Sequence, residues 1–130
     1  MKFPNWVAAA VVLTVALAAQ AQPVLVHVEA RCSDKTIEYN MGQHAQDTVR
    51  SSSAHKLENS ANTSVRVTLS AAPVRPKGAE KDAPLGISFA MLVRKRATSG
   101  AWDVTAFQNS FVPIDEIEKT VKASVAEAIR

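Results

Sequence analysis

The sequence predicts an α+β two-layer sandwich, with one mixed or antiparallel sheet of about four strands and two helices on one face. Three observations predict it. Several segments alternate apolar and polar residues with period two. Two others repeat apolar residues at i and i+4, the spacing of a helix face. Their order along the chain is β-α-β-β-β-α.

Before the first element stands an export signal. Lys2 gives a positive start, residues 7–19 are an unbroken run of Val, Ala and Leu with one Thr, and Ala19-Gln20-Ala21 closes it with a small-x-small cleavage pattern. That is the layout of a cleavable secretory signal over residues 1–21. The run is 13 residues long, whereas a membrane-spanning helix needs about 20. Cys32 lies eleven residues past Ala21, too far for a lipid-modified cysteine. The expected working molecule is residues 22–130, one domain with no membrane anchor after cleavage and a periplasmic or secreted location.

Residues 23–31 are the first strand. Val24, Val26, Val28 and Ala30 share one side; Leu25, His27, Glu29 and Arg31 share the other. Ser33 or Asp34 then supplies a side-chain oxygen for a helix N-cap. The helix runs from Lys35 to about Ser53, with Ile37, Met41, Ala45, Thr48, Val49 and Ser52 near one face. Residues 55–58 form a short extended piece. Residues 64–71 alternate again, with Val65, Val67, Leu69 and Ala71 inward and Arg66, Thr68 and Ser70 outward. Three prolines within residues 73–84 mark an exposed loop. Residues 85–96 are the most apolar strand, with Leu85, Ile87, Phe89, Met91 and Val93 on one face; Ala90 and Leu92 on the other suggest a central position. Thr98-Ser99-Gly100 turns the chain into a partner strand over 101–111, carrying Trp102, Val104, Ala106 and Phe107. A helix over 113–130 closes the fold. Pro113 suits its first turn, and Asp115-x-x-Glu118 resembles a capping box. Ile114, Ile117, Val121, Val125 and Ala128 make its apolar stripe.

Composition bounds the function. With the signal removed, 109 of the 130 residues remain, which suits one core. They hold 14 basic and 12 acidic residues, a net charge of +2. That mild balance argues against nucleic acid, which calls for a basic stripe. Cys32 is the sole cysteine, so no internal disulfide forms; at a strand end it reads as a small buried hydrophobe.

Gly42 on a helix, then Val49-Arg50 with Ser52, then an extended Lys56-Leu57 and an alternating Val/Leu strand make up a pattern. It resembles small uncharacterised exported bacterial proteins with a β-α-β-β-β-α domain. The resemblance implies a periplasmic setting and carries no functional residues across.

No catalytic constellation emerges. Serines are abundant, but no G-x-S-x-G elbow exists. His27 and Cys32 are five apart on one strand and point to opposite faces. Glu116 and Glu118 fit the favourable start of a helix dipole. His27, His44 and His55 lack tight ligand spacing; with Met41 and Cys32 they would form a copper site only by converging from separate elements. No metal or cofactor is therefore assigned. Asn62-Thr63-Ser64 matches a glycosylation sequon, a frequent chance motif and irrelevant in a bacterial source.

The sharpest charge feature is Arg94-Lys95-Arg96. Alternation puts Arg94 and Arg96 on one face, and Arg66 falls alongside on a neighbouring strand. With Arg75, Lys77 and Lys81 in the loop, these side chains suit an anionic envelope polymer or an acidic protein. A solvated hairpin end or edge protection would use the same residues. The expected function is a non-enzymatic periplasmic binding or accessory domain that contacts a cell-envelope component. The alternative is a small inhibitor or immunity protein of an envelope-acting enzyme, plugging its target through the 73–84 loop.

Overall fold

The computed structural model describes residues 22–59, 62–78 and 83–130. The predicted export signal and Lys81 lie outside the described residues. In chain order the elements are β1 (Val24–Cys32), α1 (Lys35–Arg50), β2 (His55–Leu57), β3 (Val65–Val74), β4 (Gly86–Arg96), β5 (Trp102–Pro113) and α2 (Ile117–Ile129). A single 3-10 turn, Ile114–Glu116, leads into α2. The strands form one mixed sheet in the order β2-β1-β3-β4-β5. β1 pairs in parallel with both β2 and β3, and the β3-β4 and β4-β5 pairs are antiparallel. The α+β fold class is as expected, and the short extended piece at 55–57 adds a fifth strand at the sheet edge.

Alternation decides which side chains reach the core. Val26, Val65 and Val67, Leu69, Ile87, Phe89, Met91, Val93 and Val112 project to the helix side and are buried. From the helices, Ile37, Met41, Ala45 and Val49 of α1 meet Ile117, Val121, Val125 and Ile129 of α2 in the same cluster. Cys32 is buried at its rim. At roughly 1.5–3 kcal/mol for each fully buried Val, Leu, Ile, Phe or Met side chain, this single layer supplies the main stabilising term.

Local chemistry fixes the ends. Asp34 caps α1 by accepting from the Thr36 and Ile37 amides, at 3.0 and 3.1 Å. Glu38, one turn in, reaches back to accept the Cys32 amide at 2.9 Å. That bond, helped by Lys35, holds the Glu38 carboxyl below its ordinary value. At the other end Ser51 is the C-cap, so α1 stops at Arg50, a few residues short of the expected Ser53.

Several boundaries differ from the sequence reading. β3 continues through Pro73 to Val74, so the exposed loop begins at residue 75. A proline is tolerated there because β1 ends opposite Ala71, leaving that side of β3 without a ladder to interrupt. Leu85 precedes β4 and is 58% exposed. Internal β4 lies beside the central strand β3. Pro113 ends β5 rather than opening a helix, and no side chain caps the start of α2 at Glu116. The Asp115–Glu118 box is therefore absent. The 3-10 turn rotates Ile114 out of the stripe, leaving it 43% exposed, while Ile129 rather than Ala128 closes the stripe.

Candidate binding face

Both helices cover one side of the sheet, so the other side is open to solvent. Strand register places its side chains in rows. One row runs His27, Arg66, Arg94 and Val104 across β1, β3, β4 and β5; the next runs Glu29, Thr68, Leu92 and Phe107. At the end of the sheet nearest the 97–101 turn, Arg96 stands opposite Trp102.

Trp102 organises that end. The Arg66 guanidinium carbon lies 4.5 Å from the indole centroid, and that of Arg96 lies 4.8 Å away. The electron-rich indole face offsets the repulsion between the two cations. Arg94 occupies the row between Arg66 and Val104, and its Nε is buried with no hydrogen-bond partner among the described residues. The strand residues of this face include Lys56, Arg31, Arg66, Arg94 and Arg96, against Glu29 alone among the acids. Glu29 is already engaged by Arg31 at 2.6 Å. That hydrogen bond, more than the charges of Arg31, His27 and Arg94, holds its carboxyl below the ordinary range. Among the strand residues of this face, cations therefore outnumber acids five to one.

The structure brings together three of the four residues singled out from sequence: Arg66, Arg94 and Arg96. Lys95 points to the opposite side of the sheet, across from Val65 and Asp103. The reading from sequence did not assign Trp102 to the cluster. Its pairing with Arg96 depends on a bulge: Val93 faces Ala106 but Arg94 faces Val104, so Thr105 is the extra residue. A one-residue slip of this kind moves side chains between faces, and the sequence pattern of β5 is too irregular to locate it. Arg31 and Lys56 were also missed as members, for want of the parallel β1-β2 register.

The β5 half of the open face is apolar. Val104, Phe107 and Phe111 are 61, 66 and 56% exposed. Phe111 lies across Gly86, where an added methyl group would sit 2.7 Å from its ring and collide with the Val112 carbonyl. Glycine is required there for close approach.

The histidines occupy separate elements. His27 meets the Asn59 side chain at 3.2 Å, and His55 Nδ1 meets Ser52 Oγ at 2.6 Å. The Ser52–His55 pair closes a turn that also carries a main-chain bond from the His55 amide to the Ser52 carbonyl; it ties α1 to β2. His44 lines a cleft of about 420 Å³ between α1 and the 3-10 turn, with Asp34, Asn40, Ile114, Asp115 and Glu118. No group of three His, Cys, Asp or Glu side chains with metal-binding geometry occurs among the described residues. No helix among them is long and apolar enough to cross a membrane. Thr63 of the sequon is buried.

No protein-family model matches this chain, and no curated protein does. A similar solved structure is a PelC dodecamer from Paraburkholderia phytofirmans, with a TM-score of 0.52 and 10% sequence identity. The match covers 84% of this chain and 86% of the PelC chain. At that identity the likeness extends to the fold alone.

Proposed function

We propose that the chain is exported, cut before Gln22, and works as a non-enzymatic periplasmic domain that binds an anionic envelope polymer on its open sheet face. The observation that carries this reading is the stacking of Arg66 and Arg96 on Trp102, with Arg94 opposite Arg66 on the adjoining strand. Guanidinium groups bind carboxylate or phosphate through two parallel hydrogen bonds. Here two of them are held in place by the indole, which lowers the entropy lost when a ligand docks. Arg94 stands opposite Arg66 in the same row and adds a third cation to the patch. An acidic protein would meet the same charges, but a flat face with cations spaced across strands suits a repeating anion. The similar PelC structure is a dodecamer; display of such a face on several copies would strengthen weak contacts to a polymer by avidity.

The test is a titration of the 22–130 domain with polygalacturonate, a polymer of carboxylates. Replacing Arg66 and Arg96 with Ser should weaken binding by about tenfold or more at low salt, since even one lost charged hydrogen bond is worth roughly 1.5–3 kcal/mol. Raising ionic strength should shrink the difference, because exposed charges are screened over about 8 Å at physiological salt. Lys95→Ser should change affinity little. Equal affinity of wild type and the double variant at both salt levels would overturn the assignment.

A further inference from the structure

The two edges of the sheet are protected very differently. β2 is three residues long and carries Lys56, a short charged edge of the kind that discourages pairing. β5 is twelve residues long. Its stretch from Ala106 to Val112 reads Ala-Phe-Gln-Asn-Ser-Phe-Val, without a charge or a proline. Thr105 in the bulge bounds it on one side and Pro113 on the other. Sheet edges left this open act as templates for another strand.

The direction of the free backbone groups follows from the β4-β5 ladder. The Ile114 amide donates to the Leu85 carbonyl. Alternation in an antiparallel pair then turns the amides and carbonyls of Ala106, Gln108, Ser110 and Val112 toward β4. Those of Phe107, Asn109 and Phe111 face outward.

We infer that this edge is a self-association surface: a second copy of the chain pairs its own β5 antiparallel to the first. The uncharged stretch lets two copies meet without like-charge repulsion, which the basic end of the same face would impose. A two-fold axis at Asn109 makes the register self-consistent. It sets Asn109 opposite Asn109 of the second copy and Phe107 of each copy opposite Phe111 of the other. All three outward-facing residues then exchange bonds, giving about six main-chain hydrogen bonds. The phenylalanines become cross-strand aromatic pairs on the open face. Phe107 and Phe111 are 66 and 56% exposed, and a buried aromatic side chain covers about 150–250 Å². The two copies therefore have up to about 500 Å² of phenylalanine surface to cover. Adding the strand backbone brings the total to the order of 1,000 Å², the lower end of specific interfaces. The resulting dimer forms and dissociates with concentration.

Sedimentation velocity on the 22–130 domain across a micromolar to millimolar series is the test. Wild type should move from monomer to dimer. Phe107→Lys combined with Phe111→Lys should stay monomeric with a far-ultraviolet spectrum like that of wild type. Should that variant unfold, Asn109→Cys gives a second readout. The paired Cα atoms would lie about 5.5 Å apart, within disulfide range, and mild oxidation should trap a covalent dimer, while Ser99→Cys in the 97–101 turn should not. A wild type that stays monomeric throughout the series would overturn the inference and leave the edge to a strand from another protein. A dimer unaffected by the lysines and not trapped through Asn109→Cys would overturn it as well.

Discussion

Glu38 shows how one side chain ties two elements together. Its carboxylate accepts the Cys32 amide at the end of β1 and lies 3.3 Å from the Lys35 ammonium. Both contacts favour the charged form, the amide bond most, so the folded pKa is depressed. The sign of the linkage follows. A depressed carboxylate stabilises the fold fully above its unfolded value of about 4.3, and that contribution is lost as pH falls through the lower folded value. Glu38→Gln removes the charge without removing the carbonyl acceptor. The variant should therefore unfold at a less pH-dependent temperature than wild type below about pH 4.3, with the curves converging at the acid end. Parallel melting curves for the two proteins from pH 6 down to pH 2 would show that the contact contributes nothing. Residues of this kind were half visible in the sequence. Asp34 was legible as one of two candidate caps because a cap needs only its own helix. The Glu38 contact required knowing that β1 ends beside the first turn of α1.

At the scale of elements, the final helix separates what periodicity reveals from what it conceals. Ile114, Ile117, Val121 and Val125 all fit an i, i+3, i+4 stripe, and a continuous α-helix would bury all four. The 3-10 turn has three residues per turn, so Ile114 leaves the phase and lines the cleft beside α1. Ile117→Ala should cost about 2–4 kcal/mol, in the range for a buried isoleucine. Ile114→Ala should cost well under half of that, since its side chain already meets solvent. Chemical denaturation of the two variants measures both. Equal losses would mean that the helix starts at Ile114. The same logic explains the other boundary errors. Strong alternation made β1, β3 and β4 readable, while the extension of β3 through Pro73 was hidden because proline signals a break unless the neighbouring ladder has already ended. β5 was readable as a strand but not in register: its bulge and its exposed Val104, Phe107 and Phe111 blur the contrast between faces.

The whole molecule has two ends of unlike chemistry on one open face, and together they set a length scale. The arginines gather around Trp102 at the start of β5, and the uncharged edge is centred on Asn109. A two-fold axis at Asn109, perpendicular to the sheet, keeps both arginine clusters on the same side of a ten-stranded sheet. Strands rise about 3.4 Å per residue, so Trp102 lies about 22 Å from that axis, and its two copies lie about 45 Å apart. A polyanion longer than about 45 Å reaches both clusters and gains from effective concentration; a shorter one engages a single cluster. Affinity for polygalacturonate fractions of graded length should therefore rise sharply once the chain passes that span, at protein concentrations where the dimer is populated. The Phe107→Lys and Phe111→Lys combination should abolish the step; its two added cations on the open face should raise affinity for short and long fragments alike, in a salt-dependent way. The Arg66→Ser and Arg96→Ser combination should weaken short and long fragments alike without preventing dimerisation. Affinity that climbs smoothly with length in all three proteins would mean that the two clusters are not coupled through β5.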